Sequence, residues 1–312
     1  MVINNMVSVI IPNYNHAPYL KERIDSVLKQ SYQDFEVIIL DDCSTDNSRE
    51  IINSYAGNPK ISNIVFNEVN SGSTFKQWQK GFELAKGEFI WIAESDDVAH
   101  PDFLDKMMKE FGKYPNAVLG FSSMIRINER SENLGIIPLK TRGHNPMDGR
   151  AFIKDNMLFG CHILNASSAV LKKDSLSQIT QDFVDFKASG DYLFWIEIAN
   201  TGQVLKVEEG LDYFRHHSNK VTPRAVATGL QFKEVRKIID KLRNEGFVSP
   251  MKLQLIAGFW QRKIRKCRIF NSAEIKNESC KLWKKNTLPP LISECFYLTY
   301  GLLRYINKKF SK

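Results

Sequence analysis

The chain has 312 residues, of which 43% are hydrophobic and 25% charged, so it can bury a full core and resembles a globular protein in composition. It has no uninterrupted apolar stretch of about 18 residues and no basic segment leading into an apolar run at its start, so we expect neither a spanning helix nor a leader peptide. The five cysteines are scattered without a CxxC pair. This pattern indicates neither a zinc site nor a disulfide framework, and it favours a reducing, cytoplasmic compartment.

The net charge of +8 is distributed unevenly along the chain. Residues 1–229 hold 24 Lys and Arg against 29 Asp and Glu, a net charge of −5. Residues 230–312 hold 19 against 6, a net charge of +13. The carboxyl-terminal region is therefore chemically distinct, and we expect it to have a different partner.

Strand and helix patterns alternate at the start of the chain. Compact apolar runs predict strands at 7–12, 35–40, 61–66 and 88–93. Apolar residues at helical spacing predict helices between them, at 18–30, 46–55 and 74–86. This alternation predicts βαβ units, hence an α/β fold with a parallel sheet. In such sheets ligands bind outside the carboxyl ends of the strands.

Three of the predicted strands deliver polar or acidic residues at that edge. They are followed by Asn13–Asn15, by Asp41 and Asp42, and by Glu94–Asp97. One acidic turn alone could equally be a helix cap. Three turns that meet at one edge favour a binding site instead.

The carboxylates of Glu94–Asp97 are close enough in sequence to repel one another unless a cation lies among them. Their oxygens suit a hard ion such as Mg²⁺ or Mn²⁺. The sequence contains neither GxGxxG after the first strand nor GxxxxGK[ST] anywhere. The phosphates of a bound nucleotide would therefore be neutralised by metal rather than by a glycine loop.

The pattern changes after residue 116. We predict strands at 117–121, 124–128, 162–171, 204–207 and 211–214, a polar loop at 130–148 and a short helix at 149–159. Asp191 precedes a buried helix at 192–200, where it is either a structural cap or a fixed base. His216 and His217 form a loop pair that is either incidental or metal-binding.

The segments VSVIIPNYN, FEVIILDDCSTDNS, AKGEFIWIAESDDVAHPDFL, GDYLFW and YFRHHSNKVT resemble the inverting, nucleotide-sugar-dependent glycosyltransferases of family 2. The resemblance covers residues 6–222 and keeps the family's order and spacing. It implies the GT-A fold, a Rossmann-like, mostly parallel central sheet flanked by helices. It also implies a catalytic domain at 1–223, with a nucleotide-binding half at about 1–115 and an acceptor half at about 116–223.

The resemblance assigns nucleotide-sugar-binding roles to four residues. Pro12 and Tyr14 would lie against the base, and Asp42 would hydrogen-bond it. Asp96 would meet the ribose or share the metal. One departure follows Asp42, where Cys43 stands in place of the family's usual glycine.

The resemblance also assigns the catalytic chemistry. Asp97 would ligate a divalent cation, Mn²⁺ or Mg²⁺, that bridges the diphosphate, with His217 as a further metal residue and His216 as its less defined neighbour. The cation would take up charge on the leaving group. Asp191 would be the catalytic base that accepts the proton of the acceptor hydroxyl, and a single displacement would invert the sugar.

Residues 224–312 predict a basic helical region with helices at 224–245, 250–270, 272–285 and 289–309. Basic amphipathic helices rich in aromatics suit an anionic membrane, so we expect peripheral contact with the inner face of the cytoplasmic membrane. The alternative is packing against the catalytic domain with a solvated basic face. No nucleic-acid-binding motif is present, and we expect no nucleic-acid partner.

These features together predict a metal-dependent inverting glycosyltransferase of cell-surface polysaccharide synthesis. Its partners would be a nucleotide sugar donor, UDP being the family's usual nucleotide, and a glycan or lipid-linked acceptor. The alternative is a binding or scaffold protein with a lapsed transfer site that acts through its basic tail. The four acidic motif residues Asp42, Asp96, Asp97 and Asp191 are all intact, which argues against that alternative.

Overall fold

A computed structural model describes residues 5–217, 221–284, 287–289, 292–295 and 297–299. Their contacts divide the chain into two compact units. The first, the sheet unit, takes the described residues of Met1–Phe152, His162–Asp185 and Gly190–Ser218. The second, the helical unit, takes those of Ile153–Cys161, Phe186–Ser189 and Asn219–Lys312. Two short segments from within the predicted catalytic domain are thus grouped with the helices.

The sheet unit contains ten strands and six α-helices among its described residues. The strands are β1 (Val7–Asn13), β2 (Phe35–Asp41), β3 (Ile61–Phe66), β4 (Phe89–Ile92), β5 (Val98–Ala99), β6 (Ala117–Ile127), β7 (Asn133–Ile137), β8 (Met147–Asp148), β9 (Ala169–Lys172) and β10 (Gln203–Arg215). The helices are α1 (Ala17–Leu28), α2 (Ser48–Asn53), α3 (Thr74–Leu84), α4 (Phe103–Lys113), α5 (Gly149–Phe152) and α6 (Gly190–Ala199).

One sheet runs through this unit in the order β3-β2-β1-β4-β9-β6-β10-β5, with β7 beside β6 and β8 beside β10. The first four strands are parallel, and β1, β2 and β4 are buried throughout because helices cover both faces. Successive strands are added on one side of β1 and then, with β4, on the other. Such a switch point opens a crevice outside the carboxyl ends of β1 and β4.

The second half of the sheet is mixed. The strand β9 lies antiparallel between β4 and β6, and β6 runs parallel to β10. The predicted strand at 162–171 is wrong for most of its length, since only Ala169–Lys172 pairs and Ala166–Ser168 forms a 3₁₀ turn. The Ser168 hydroxyl donates to the carbonyl of Asn165 at 2.7 Å, a local bond that competes with strand pairing.

Other predicted boundaries also change. The strands predicted at 117–121 and 124–128 are one strand, β6, and those at 204–207 and 211–214 are one strand, β10. The predicted break in β10 coincides with shifts in its pairing register at Gly210, where a Cβ would lie 2.8 Å from Cγ1 of Ile125. The polar loop at 130–148 contains β7 and β8, and the helix at 149–159 is α5 followed by a π-helical turn at Ile153–Met157.

The helical unit contains α7 (Val221–Ala227), α8 (Leu230–Asn244), α9 (Pro250–Lys266) and α10 (Ala273–Lys284). The helix predicted at 224–245 is broken at Gly229, whose φ of +75° favours glycine. Trp260 and Trp283 stack in the core at a centroid distance of 5.5 Å. Most of the helix predicted at 289–309 lies outside the described residues. Within the described ranges, no helix is long and apolar enough to cross a bilayer.

Glu36 joins three segments at the sheet edge opposite the crevice. Its carboxylate accepts hydrogen bonds from the Ser8 hydroxyl and the Lys86 backbone, both at 2.7 Å, and the side chain is buried. Burial alone would raise the pKa of Glu36, but the donors of Ser62, Lys86 and Ser8 together bring it below the ordinary value.

Glu36→Gln should lower the free energy of unfolding by about 1–2 kcal/mol at pH 7, because an amide cannot accept from all these donors. A depressed pKa contributes stability above the glutamate pKa of the unfolded chain, and this contribution is lost as the pH falls through the folded value. Urea unfolding from pH 3 to pH 7 should therefore give a shallower pH dependence for the variant. The exposed Glu83→Gln is the control, and equal slopes for Glu36→Gln and wild type would contradict the prediction.

Candidate active site

Two buried arginines fix the acidic turn that follows β4. Arg23, on α1, donates from Nε to the carbonyl oxygen of Glu94 at 2.8 Å. Arg215, at the end of β10, donates from Nε to the carbonyl oxygen of Asp96 at 2.7 Å. Both arginines are 0% exposed. Buried guanidinium groups of this kind make the turn a rigid part of the protein rather than a solvated loop.

Asp97 points into the protein. Its carboxylate accepts from Asn165 Nδ2 at 2.6 Å, Ser167 Oγ at 2.8 Å and the backbone N–H of Arg215 at 2.9 Å. A guanidinium nitrogen of Arg23 lies 3.8 Å away, and Asp97 is 1% exposed. Both oxygens are engaged by the protein, so Asp97 acts first as an internal anchor of the turn.

A second buried acid faces Asp97. Asn165 Nδ2 also donates to Asp212, on β10, at 2.8 Å, so one amide group holds both carboxyl groups. Burial, and after it the repulsion between neighbouring carboxylates, raises the pKa of Asp97 and of Asp212. The pair therefore retains protons more readily than free aspartates do.

Asp96 points to the crevice side of the same turn and meets two histidines. Its Oδ2 lies 2.8 Å from Nε2 of His217, and one ligand atom each from His16, Asp96 and His217 lie within 4.8 Å of one another. Ser95 Oγ bonds Nδ1 of His16 at 2.8 Å and orients its ring. Burial lowers the pKa of His16, which keeps the imidazole neutral, the form that binds metal.

This donor set fits a divalent metal. Two imidazole nitrogens and one carboxylate oxygen suit first-row ions such as Mn²⁺. His16 was not among the residues predicted from the sequence. Its position, three residues after the end of β1 and next to the β4 turn across the switch point, is a usable signal. His216, in contrast, packs its ring on Phe214 at 5.2 Å and donates its backbone N–H to Ile127.

Asp42 lies at the same edge, after β2, and is 4% exposed. One carboxylate oxygen accepts from Asn67 Nδ2, Gln77 Nε2 and the Ser71 backbone, and the other from the Ser71 hydroxyl, all at 2.7–2.9 Å. Cys43 has φ of +63°, the left-handed conformation that glycine adopts most easily, which accounts for the glycine usual in the family at this position.

The first-strand residues differ in exposure. Pro12 is buried within β1, whereas the ring of Tyr14, in the following turn, is 47% exposed. An exposed aromatic ring at the mouth of a crevice can stack on a planar ligand.

Glu94 begins the acidic turn, and its carboxyl group is neutral at pH 7. Burial, reinforced by the charge of Asp96, raises the pKa of Glu94 to about 8. Trp78, on α3, donates its indole N–H to Oε1 of Glu94 at 2.9 Å. The same indole packs on Phe194 of α6 at a centroid distance of 5.6 Å, so α3 connects the β4 turn to α6.

Asp191 lies in the first turn of α6 and is half-buried. Its Oδ1 accepts from the backbone N–H of Tyr192 at 2.8 Å. The positive end of the helix dipole stabilises the carboxylate there. The structure thus brings Asp96 and His217 together and holds Asp42 and Asp191 on the same sheet unit, while the carboxylate of Asp97 is turned away into the core.

Parallel strands, a switch-point crevice and polar turns at the carboxyl edge of the sheet are typical of α/β proteins that bind a ligand at that edge. The family model described as "Glycosyl transferase family 2" matches residues 8–180, more than half of the chain. The chain belongs to glycosyltransferase family 2. The family resemblance and the fold class predicted from the sequence are both confirmed.

Curated relatives agree with this assignment. The chain is 38% identical over 104 residues to the putative teichuronic acid biosynthesis glycosyltransferase TuaG of Bacillus subtilis. The aligned region covers 33% of this chain and 41% of TuaG. It is 34% identical over 108 residues to the glycosyltransferase GlyG of Streptococcus pneumoniae. That aligned region covers 35% of this chain and 36% of GlyG. The chain thus spans well under half the length of these two relatives.

A solved structure shares the fold. The crystal structure of Staphylococcus aureus TarS 1–349 in complex with UDP-GlcNAc superimposes with a TM-score of 0.68 at 22% identity. The match covers 90% of this chain and 79% of TarS 1–349. At this identity the likeness supports the GT-A fold.

Proposed function

We propose that the chain is a metal-dependent inverting glycosyltransferase acting in polysaccharide synthesis. It moves a sugar from a nucleoside diphosphate sugar, with UDP as the nucleotide, to a hydroxyl of a glycan or lipid-linked acceptor. The observation that carries the proposal is the meeting of Asp96, His16 and His217 at the switch point, beside the Asp42 turn. Membership of family 2, the name of TuaG and the UDP-GlcNAc bound to TarS support it.

The donor nucleotide would bind along the β1 and β2 turns. Tyr14 stacks its exposed ring on the base, and buried Pro12 shapes the floor of the crevice behind it. Asp42 accepts a hydrogen bond from the base through Oδ2, which has one protein donor where Oδ1 has three. A carboxylate oxygen has room for a second donor.

Asp96, His217 and His16 would hold the cation, with Asp96 in place of Asp97 as the carboxylate ligand. Asp96 already lies 2.8 Å from His217, about the spacing of neighbouring ligands on an ion with bonds of about 2.1 Å. Asp97 instead keeps the turn rigid through its contacts with Asn165 and Ser167. When bound, the cation supplies charge stabilisation to the departing diphosphate.

Asp191 would be the base. Its carboxylate accepts the proton of the acceptor hydroxyl as that oxygen bonds to the anomeric carbon, while the bond from that carbon to the diphosphate oxygen breaks. The helix dipole keeps Asp191 ionised and ready to accept. A single displacement with one base inverts the anomeric centre.

The donor and the base are tested together. A panel of nucleotide sugars with Mn²⁺ should contain one that raises the melting temperature in proportion to its occupancy, and EDTA should abolish transfer. Asp191→Asn should bind that donor normally but lower kcat by about 10²–10⁴-fold. If no donor binds and no transfer occurs, the scaffold alternative is favoured. A variant with more than a tenth of wild-type kcat would remove Asp191 from this role.

The metal ligands are tested by Mn²⁺ binding itself, measured by electron paramagnetic resonance. Asp96→Asn and His16→Ala should each weaken Mn²⁺ binding by at least about tenfold, because each removes a ligand. His144→Ala, an exposed histidine, is the control and should bind normally.

Asp97→Asn should retain Mn²⁺ binding but lose about 3 kcal/mol of unfolding free energy, since it leaves Arg23 without its buried partner. The opposite pattern, in which Asp97→Asn loses the metal and Asp96→Asn keeps it, would restore Asp97 as the ligand.

The basic helical region would contact an anionic lipid surface on the inner face of the cytoplasmic membrane. At the end of α9 and just beyond it, Lys263, Arg265, Lys266 and Arg268 are exposed, and Ile269 beside them is 52% exposed. All five cysteines lie among the described residues, and none of them forms a disulfide.

Lys266→Gln with Arg268→Gln should weaken binding to phosphatidylserine vesicles about 30-fold, because each basic residue near such a surface contributes about 1 kcal/mol. Co-sedimentation measures this, with neutral vesicles as the lipid control. The pair Lys109→Gln and Lys113→Gln, which removes two exposed lysines of α4, is the protein control. Equal binding by both double variants would contradict a specific role for the α9 end.

A further inference from the structure

Glu234, on α8 of the helical unit, binds three consecutive backbone N–H groups. Its carboxylate accepts from Lys187 at 2.7 Å, from Ala188 at 3.0 Å and from Ser189 at 2.7 Å. Glu234 is 5% exposed. Successive N–H groups that converge on one anion form a nest, and a charged acceptor makes each bond stronger than a neutral one would.

The tripeptide Lys187–Ser189 lies outside any helix or strand, so its N–H groups have no ladder partner. The Ser189 hydroxyl is buried and makes no hydrogen bond to a described residue. Glu234 therefore supplies the polar contacts that define the backbone path of this segment.

The backbone at the next residue, Gly190, is also restricted. At Gly190 a Cβ would lie 2.5 Å from the carbonyl oxygen of Phe183 and 2.6 Å from the ring of Phe75. Only glycine fits there, and it leads directly into Asp191. Four successive residues before Asp191 are thus held by specific contacts, three of them by one carboxylate.

We infer that Glu234 is a positioning residue for Asp191, an assignment that rests on the proposed role of Asp191 as the base. Glu234 holds the three residues that lead through Gly190 into the first turn of α6, and so limits the backbone conformations open to Asp191. A displacement of about 1 Å at a reacting group can cost about 10²-fold in rate.

The test compares Glu234→Gln with Asp240→Asn in the 312-residue chain. Both changes convert a carboxylate on α8 to an amide, but Asp240 pairs with Arg236 and does not touch the tripeptide. The amide of Glu234→Gln can accept through only one atom. We expect amide hydrogen exchange at residues 187–189 to accelerate about tenfold or more in Glu234→Gln and to stay unchanged in Asp240→Asn.

Transfer kinetics supply the second readout. Glu234→Gln should lower kcat about 10–100-fold, with donor affinity within about twofold of wild type. Loss of folded protein would instead reduce donor-binding capacity in the same proportion. In an Asp191→Asn background Glu234→Gln should have little further effect, because the group that it positions is already absent.

Faster exchange together with a kcat loss that disappears in the Asp191→Asn background would support the inference. Normal exchange at residues 187–189, or an equal kcat loss in both backgrounds, would overturn it while leaving the glycosyltransferase proposal intact. A wild-type protein that transfers no sugar from any nucleotide sugar would overturn the proposed function and the catalytic part of this inference together. Exchange would then still decide whether Glu234 holds the tripeptide.

Discussion

The candidate site depends on the burial of the Asp97 carboxylate. Strand β4 ends in a turn whose backbone carbonyls would otherwise face water, and Arg23 and Arg215 bind two of them. Buried guanidinium groups are stable only beside compensating acceptors. The guanidinium of Arg23 lies 3.8 Å from the Asp97 carboxylate, and that of Arg215 pairs with Glu22, while the Arg215 backbone N–H donates to Asp97. The turn is therefore rigid because its charges are internal. Rigid support is what a site needs to hold a ligand in one geometry.

The two neighbouring aspartates of this turn have different surroundings, Asp97 in the core and Asp96 beside His217. Successive side chains in a tight turn leave the backbone in different directions, so Asp97 enters the core while Asp96 faces His217. A sequence motif records both acids but not their directions. Assigning the metal to Asp97 was the simplest extension of the motif, and the hydrogen bonds of Asn165 and Ser167 favour Asp96 instead.

Much of the fold was predictable because it follows from local patterns. The buried apolar runs of β1, β2 and β4 predict parallel strands, and three polar turns predict the site edge. The rest depends on distant contacts. Strand β9 is short because the hydroxyl groups of Ser167 and Ser168 make hydrogen bonds to the backbone. Glu234 is one of several charged residues on α8, and nothing in the sequence distinguishes it from the others. His16 belongs to no motif that was used to predict the site. It becomes a candidate metal ligand only because β1 and β4 are neighbours in the sheet.

The charge balance at this edge of the sheet supports the proposed cation site. Four carboxyl groups, those of Glu94, Asp96, Asp97 and Asp212, share the surroundings of Arg23. Burial raises the pKa of Glu94 to about 8 and also raises the pKa of Asp97 and of Asp212, which reduces the negative charge around Arg23. Asp96 differs from the other three acids in that its carboxyl group meets His217 at the candidate metal site. In the proposed donor complex the diphosphate would add further negative charge at that place, and a cation held by Asp96, His16 and His217 would offset it.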